Sequence, residues 1–456
     1  MLVMKFGGSS LASGEALLRV AGLVGKQVSR RPVVVVSAIG RTTDDLVASA
    51  KLAREGRLQE ARRRVSMIRQ ALCEAVGSVL ADKLRLEREL DRLVDDVERL
   101  LIALSTAESK ECAAATDAIL SHGEQFSSLV MTWLLQQSGL DAVHVDACEV
   151  LVTDERFMQA APLYGPTNER LGDVVTPLSA AERIAVLGGF IGRTRDGRPS
   201  TLGRGGSDLS ASVVGAGIGA DEIQIWTDVD GIMTADPAMV SDAKRLPQLS
   251  FAEASELAYF GGRVLHPSTV WPAVDRNIPV RVLNSRKGDA QGTLIVADCQ
   301  PSPLTVKSIV YKEGITVIDI RSSRMLMSHG FLSAIFLAFE RLEIVVDVVS
   351  TSEVSVSLTI DRHDRLDELL NELREIAEVS HTDGQAIVCL VGDAIRHTPG
   401  VAATAFAALG EINVRMVSQG SSRTNLSLVI DERDVAAAVI ALHHAFFDDV
   451  GPPAFA

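Results

Sequence analysis

Two glycine-rich stretches carry the residues best suited to chemistry in this chain. Lys5-Phe6-Gly7-Gly8-Ser9-Ser10 lies near the start, and Leu202-Gly203-Arg204-Gly205-Gly206-Ser207-Asp208 answers it far downstream. Each joins an expected strand to an expected helix, so backbone N–H groups and a helix N-terminus can meet an anion, with Lys5 and Arg204 adding fixed positive charge. Two such loops imply a nucleotide held between them, and the chemistry they suit is phosphoryl transfer. Lys5 precedes its glycines, so the first loop is not a P-loop, and neither loop is a G-x-G-x-x-G followed by a ribose-binding acid. Gly215-Ala216-Gly217-Ile218-Gly219 imitates part of that fingerprint. It follows a helical pattern and precedes a strand, the reverse of the order that phosphate binding needs.

The elements that must position these loops are legible in the apolar patterning. Short β-like runs at 2–6, 32–37, 142–146, 185–190, 222–227 and 279–282 alternate with helical patterns over residues 1–296. Apolar strands separated by helices predict a mainly parallel sheet covered on both faces. Between residues 44 and 105 the chain is rich in Leu, Arg and Glu with a helical period, which predicts helices packed as a lid or side bundle. Asp196-Gly197, between two extended stretches, predicts a hairpin turn that delivers Arg204. Beyond a linker, Gln300-Pro301-Ser302-Pro303, the chain repeats itself at an offset of seventy residues. Gly330-Phe331-Leu332 recurs as Gly400-Val401-Ala402, and Ser357-Leu358-Thr359-Ile360-Asp361 as Ser427-Leu428-Val429-Ile430-Asp431. Two copies of one βαββαβ unit is the economical reading. Such units leave sheet edges to be covered, so pairing of copies and of chains is expected.

A chain of 456 residues, 47% apolar, suffices for about three domains. The net charge of -14 argues against nucleic acid or an anionic membrane as the main partner, so an anionic substrate must be met by a local basic cluster such as the two loops. Cys73, Cys112, Cys148, Cys299 and Cys389 are odd in number and show no C-x-x-C spacing, which predicts reduced, buried thiols rather than disulfides or zinc, and a cytoplasmic address. Only a short apolar run precedes Lys5, and no segment approaches roughly 18 uninterrupted apolar residues, so neither a signal peptide nor a membrane span is expected. His443-His444 lie on an expected terminal helix without partners at ligand spacing, and no protein-held metal site is expected.

Five motifs in order narrow the reading. Lys5-Phe6-Gly7-Gly8-Ser9-Ser10, Ser121-His122-Gly123-Glu124, Gly203-Arg204-Gly205-Gly206-Ser207-Asp208, Thr227-Asp228-Val229-Asp230-Gly231-Ile232 and Val264-Leu265-His266-Pro267 together resemble the aspartate kinases of the amino-acid kinase superfamily. The match runs over essentially the whole chain. The resemblance implies a three-layer α/β domain of the carbamate-kinase type, with a mainly parallel sheet, over residues 1–298. Two ferredoxin-like ACT domains would follow at 312–383 and 384–456, with 304–311 donated to the second. It also implies transfer of the ATP γ-phosphoryl group to the side-chain carboxylate of L-aspartate, the first step of the aspartate-family amino-acid pathway, under feedback control. An acceptor carboxylate with a reference pKa of about 3.9 is already ionised at neutral pH, so no general base is needed. What the reaction needs is alignment of two anions and neutralisation of the moving phosphoryl group.

Under that resemblance Lys5 and Asp208 are catalytic, Lys5 bridging the phosphates and Asp208 orienting the phosphate loop. Arg204 would fork onto the α-carboxylate and Glu124 would take the α-ammonium. Thr42, in Ser37-Ala38-Ile39-Gly40-Arg41-Thr42, would meet the substrate side chain, with Gly206 and Ser207 in the same subsite. Phe6, Gly7, Gly8, Ser9, Thr227, Asp228, Met233 and Arg263 would join Lys5 around ATP, whose Mg²⁺ is expected to arrive with the nucleotide, held by phosphates and water. The chain departs from the family at Met233, at Ala238 in place of an arginine and at Arg263 in place of a lysine, which predicts weaker ATP binding. In the tail Met325, Ser328, Gly330, Phe331, Leu332, Asp347, Ser352 and Glu353 resemble a lysine-binding site. L-Lysine is therefore the expected allosteric inhibitor, with L-threonine the second choice, and the ACT domains are expected to pair chains into a homodimer or homotetramer. Met327 and Val345 replace more polar residues of some relatives. One alternative is a kinase for glutamate, carbamate or a nucleotide, opposed by the tail and by the Arg204 and Glu124 pair. Another is a catalytically degraded kinase that serves as an amino-acid-binding regulatory protein. A fusion to homoserine dehydrogenase is not expected, because no Rossmann half precedes Ala456.

Overall fold

The computed structural model describes residues 1–261, 267–299, 302–322, 329–393, 395–448 and 450–451, the side chains of Lys110, Pro267 and Ser268 excepted. The chain divides into two compact units. The first comprises Met1–Ile232, Pro247–Phe251 and Val264–Asp298, and the second Met233–Leu246, Ala252–Arg263 and Cys299–Ala456.

The main sheet of the first unit runs in the order Ala142–Val145, Ile184–Gly188, Pro32–Val36, Leu2–Phe6, Glu222–Thr227, Val280–Asn284, Thr293–Val296, Gln248–Ser250. Every neighbouring pair is parallel except Val280–Asn284 with Thr293–Val296. Leu2–Phe6 and Pro32–Val36 are buried at every position, because helices cover both faces of the pleat and mostly apolar side chains, β-branched in the second strand, fill it on each side. The last two strands were not among the expected runs; at 4 and 3 residues they are too short for a period to show.

The helical stretch between residues 44 and 105 resolves into Thr42–Arg54, Leu58–Gly77 and Lys83–Thr106. In the last of these Leu86, Leu90, Leu93, Val97, Leu101 and Leu104 are buried at steps of three and four, the stripe of a helix packed on one side. They join one core with Leu2, Phe6, Val34 and Leu134 of the sheet and its covering helix, so the bundle packs as an extension of the main core. The expected hairpin is present: Ile191–Thr194 pairs antiparallel with Pro199–Thr201, and Gly197 turns it at φ 92°. The Arg204 loop follows directly, then the helix Gly206–Ile218, which contains the imitation fingerprint and ends on Gly219 at φ 61°.

The second unit holds one sheet in the order Val346–Thr351, Ser355–Asp361, Ser308–Arg321, Glu378–Val391, Asn425–Asp431, Met416–Gln419, antiparallel throughout. The offset of seventy is structural, since strand 308–321 reappears as 378–391 and strand 355–361 as 425–431. Residues 308–312 pair with 387–391, while 315–321 pair with 378–385 and with 355–361. A register shift between Lys312 and Ile315 separates the two halves of the long strand. Each repeat opens its first helix on a left-handed glycine, Gly330 at φ 85° before Phe331–Arg341 and Gly400 at φ 88° before Val401–Leu409. Among the described residues no cysteine forms a disulfide; Cys112, Cys148 and Cys389 are buried, whereas Cys73 and Cys299 are only half-buried, short of the burial expected of all five. Among the described residues no helix is long and apolar enough to cross a membrane.

Candidate active site

Lys5 reaches the site because its parallel strand ends there. Its Nζ lies 2.6 Å from Asp208 Oδ1, with the lysine side chain 9% exposed. Asp208 stands in the first turn of Gly206–Ile218, where a carboxylate also complements the helix N-terminus. The two glycine loops therefore meet through their charged residues. Arg204, just before that helix, is exposed and forms no ion pair with a described carboxylate, which leaves its guanidinium available to an anion. The turn depends on Gly205 at φ 69°, a conformation that a side chain would strain.

The loop after Phe6 is tied to both neighbouring strands. Gly7 N–H donates to Trp226 O at 3.2 Å and Ser37 N–H to Phe6 O at 3.0 Å. A phosphate therefore does not meet a free Gly7 amide. Phe6 is fully buried and its ring stacks on Trp226 at 5.9 Å, so this side chain belongs to the core and only its backbone borders the site. A Cβ on Gly8 would come within 3.0 Å of Ala38 O, which brings the first loop against residues 38–40. Ser9 is exposed beside it.

Ala38 also connects to Glu124, which projects from the helix Cys112–Gln137. Its N–H donates to Glu124 Oε1 at 3.2 Å, while Glu124 Oε2 is buried with no partner among the described residues. Burial pushes the Glu124 carboxyl up to about 8, against the opposing effect of the Ala38 N–H. A buried carboxylate with one oxygen unengaged is costly unless a cation joins it, and an ammonium group suits that place. Thr42 is buried and donates its hydroxyl to Ile39 O at 2.7 Å, so a ligand would meet Thr42 Oγ1 as an acceptor. Ser37 Oγ donates to Ser207 Oγ at 2.9 Å, and Gly206 is buried at the start of the same helix.

At the end of the next strand Thr227 donates to Asp228 Oδ1 at 3.2 Å, and Asp228 is exposed. Asn284 Nδ2 holds this turn through Asp228 O at 3.3 Å and Asp230 Oδ1 at 2.6 Å. Met233 belongs to the second unit, where it bridges to Arg245 and its carbonyl accepts from Ser308 Oγ. Arg263 and His266 lie outside the described residues. The structure thus brings Lys5, Asp208, Ser207, Gly8, Ala38 and Glu124 into one connected cluster. Ser37 was not singled out as a site residue, since a serine at a strand end carries no spacing signal.

In the second unit Asp347 is the buried acid of the expected effector group. Its Oδ1 accepts from Tyr259 Oη at 2.8 Å and faces Lys312 Nζ at 3.0 Å, while Oδ2 is buried without a partner among the described residues. Burial beside Asp347 raises the Tyr259 phenol, which keeps it a donor. Gly330 caps its helix, Leu332 is 41% exposed and Phe331 is half-buried. Ser352 and Glu353 are exposed in the turn between Val346–Thr351 and Ser355–Asp361, where Ser355 N–H donates to Ser352 Oγ at 3.1 Å. Met325, Met327 and Ser328 lie outside the described residues.

Comparison with known proteins places this geometry. Residues 1–284 match the amino acid kinase family and residues 388–446 an ACT domain. Aspartokinase 1, chloroplastic, of Arabidopsis thaliana is 38% identical over 465 residues, covering 98% of this chain and 80% of that protein. The crystal structure of E. coli aspartokinase III in complex with aspartate and ADP (R-state) superimposes with a TM-score of 0.85 at 35% identity, covering 98% of this chain and all of that one (100%). The same enzyme in complex with lysine and aspartate (T-state) gives a TM-score of 0.82 at 36% identity, covering 98% and 99% of the two chains.

Proposed function

We propose, on the premise that the chain belongs to the amino acid kinase family as one of its aspartokinases, that it transfers the γ-phosphoryl group of ATP to the β-carboxylate of L-aspartate, giving 4-phospho-L-aspartate and ADP. The observation that carries this reading is Lys5 held on Asp208 between two glycine loops, joined through Ala38 to a buried carboxylate with a free oxygen.

The acceptor carboxylate attacks the γ-phosphorus, the bond to the bridging oxygen breaks, and ADP leaves; no proton moves. Lys5 neutralises charge on the phosphoryl oxygens, and Asp208 keeps the ammonium aimed at them. Arg204 forks onto the α-carboxylate, Glu124 takes the α-ammonium and thereby gains the cation its burial lacks, and Thr42 with Ser207 borders the side chain. Thr227 and Asp228 border the nucleotide, and Mg²⁺ enters with ATP as part of that substrate.

The tail reads as the control element, with L-lysine as inhibitor at the first repeat and L-threonine as the second choice. Two things support this: the lysine complex of the E. coli relative, and Asp347 with an unengaged buried oxygen suited to an ammonium group. Inhibition follows only where lysine prefers an inactive state, since equal affinity for both states shifts nothing. Pairing of chains through the ACT sheet edges into a homodimer or homotetramer, a cytoplasmic place and the first step of the aspartate-family pathway complete the proposal.

The test is hydroxylamine-trapped acyl phosphate formed from ATP, Mg²⁺ and L-aspartate, with and without L-lysine, on the natural chain and on Lys5→Ala. Aspartate-dependent product that disappears in the variant and falls with lysine is the expected result. No product from the natural chain, with lysine still bound, assigns it to the amino-acid-binding regulatory proteins instead.

A further inference from the structure

Asp117 is a buried carboxylate to which the reaction assigns no role. It lies on the helix Cys112–Gln137, is 0% exposed, and receives three hydrogen bonds from two separate segments. Its Oδ2 accepts from Met158 N–H and Thr201 N–H, each at 2.9 Å, and its Oδ1 accepts from Thr201 Oγ1 at 2.6 Å. Thr201 ends the hairpin strand three residues before Arg204. Met158 holds a left-handed backbone at φ 70°, unusual for a side chain of its size and sustained here by what its N–H meets.

The two segments are also joined to each other. Ala160 N–H donates to Thr201 O at 2.9 Å, and a Cβ on Gly203, itself at φ 74°, would come within 3.2 Å of Met158 O. Residues 158–160 therefore form the wall behind the Arg204 turn, and Asp117 binds wall and turn together. The same helix carries Glu124 seven residues later. Seven residues are close to two helical turns, so the two acids lie on one face, about 10 Å apart along the axis.

We infer that Asp117 is a positioning residue that sets the Arg204 turn at a fixed distance from Glu124, and so determines the fit of an amino acid's α-carboxylate and α-ammonium groups. This rests on the proposed roles of Arg204 and Glu124. An acid that merely stabilised the fold would affect both substrates alike. One that spaces these two groups affects aspartate and leaves ATP alone.

The experiment measures kcat and both Michaelis constants for Asp117→Ala, Asp117→Asn, Thr201→Val and Arg204→Ala, with thermal unfolding alongside. Asp117→Ala deprives three donors of their acceptor, and the KM for aspartate rises by about tenfold or more while that for ATP stays within about twofold. Asp117→Asn keeps a carbonyl for the two N–H groups and turns an N–H toward Thr201 Oγ1, so it returns the aspartate KM to within about threefold of the natural value. Thr201→Val removes one bond of the three and raises the aspartate KM about two- to tenfold. Equal rises in both Michaelis constants, or no rise in either, overturn the inference. Where Asp117→Ala does not fold, Thr201→Val decides, and an unchanged aspartate KM counts against the inference. If Arg204→Ala leaves the aspartate KM unchanged, the substrate-site reading itself fails; if Arg204→Ala raises it and the Asp117 and Thr201 variants do not, only the inference fails.

Discussion

Lys5 and Lys312 each face an aspartate across a short ion pair, 2.6 Å to Asp208 in the first unit and 3.0 Å to Asp347 in the second. The pairs differ in which member has capacity left. Asp208, at a helix N-terminus, serves to hold Lys5, and the cation is the member that a phosphate can share. Lys312 is claimed twice, with Asp361 at 2.7 Å as well, while Asp347 keeps a buried oxygen unengaged, so there the anion is the member that a ligand can share. In the proposed reading one kind of contact serves an anion site in one unit and a cation site in the other; the neighbours decide which. The second repeat sharpens the point. Seventy residues beyond Asp347 and Glu353 stand Val417 and Arg423, so the duplicate keeps the backbone, down to Gly400 at φ 88°, without the acids that would receive an ammonium.

The largest effect is expected where the shared member is removed. Lys5→Ala lowers kcat on the order of 10³-fold in the acyl-phosphate assay, because no other group in the loop supplies the charge. A loss of less than about tenfold would break the comparison on its catalytic side. Asp347→Asn removes the shared anion while Lys312 keeps Asp361; the lysine concentration for half-inhibition rises about 10- to 100-fold with kcat unchanged. Unchanged inhibition would show that the second pair is structural only.

Glu124 supplies a pH test. Burial holds its carboxyl at about 8 in the free protein, against 4.5 as its ordinary value. The folded state therefore retains a proton that the unfolded chain releases; the resulting stability is fully present below pH 4.5 and is lost as pH rises through about 8. In the proposed site aspartate binding runs the other way, since an α-ammonium placed on Glu124 needs its ionised form. The KM for aspartate is expected to fall by up to about tenfold between pH 7 and 9, and Glu124→Gln to flatten that profile at a raised KM. The smallest effect belongs to Ser37→Ala, which removes one neutral hydrogen bond from Ser207 and raises the aspartate KM about two- to tenfold.

Much of the framework was legible in the residues. The runs at 2–6, 32–37 and 222–227 are apolar enough to mark buried parallel strands, and the offset of seventy marks two structural copies. Lys5, Arg204 and Asp208 were legible because glycine loops announce a backbone that must turn sharply beside them. Ser37 against Ser207, Asp117 against Thr201 and Tyr259 against Asp347 were not, since each pair is remote in the chain and neither member sits in a repeating pattern.

Period, glycine placement and motif order are local properties, and they determined most of the strands, the turns and the charged residues proposed to meet a nucleotide and an amino acid. Whether Glu124 is left with a protonable free oxygen, whether Phe6 faces the core rather than the ligand, and whether Asp347 is shared between Tyr259 and Lys312 were decided only by tertiary structure. Burial and ion pairing depend on which distant segments close over a side chain, and no local spacing specifies that.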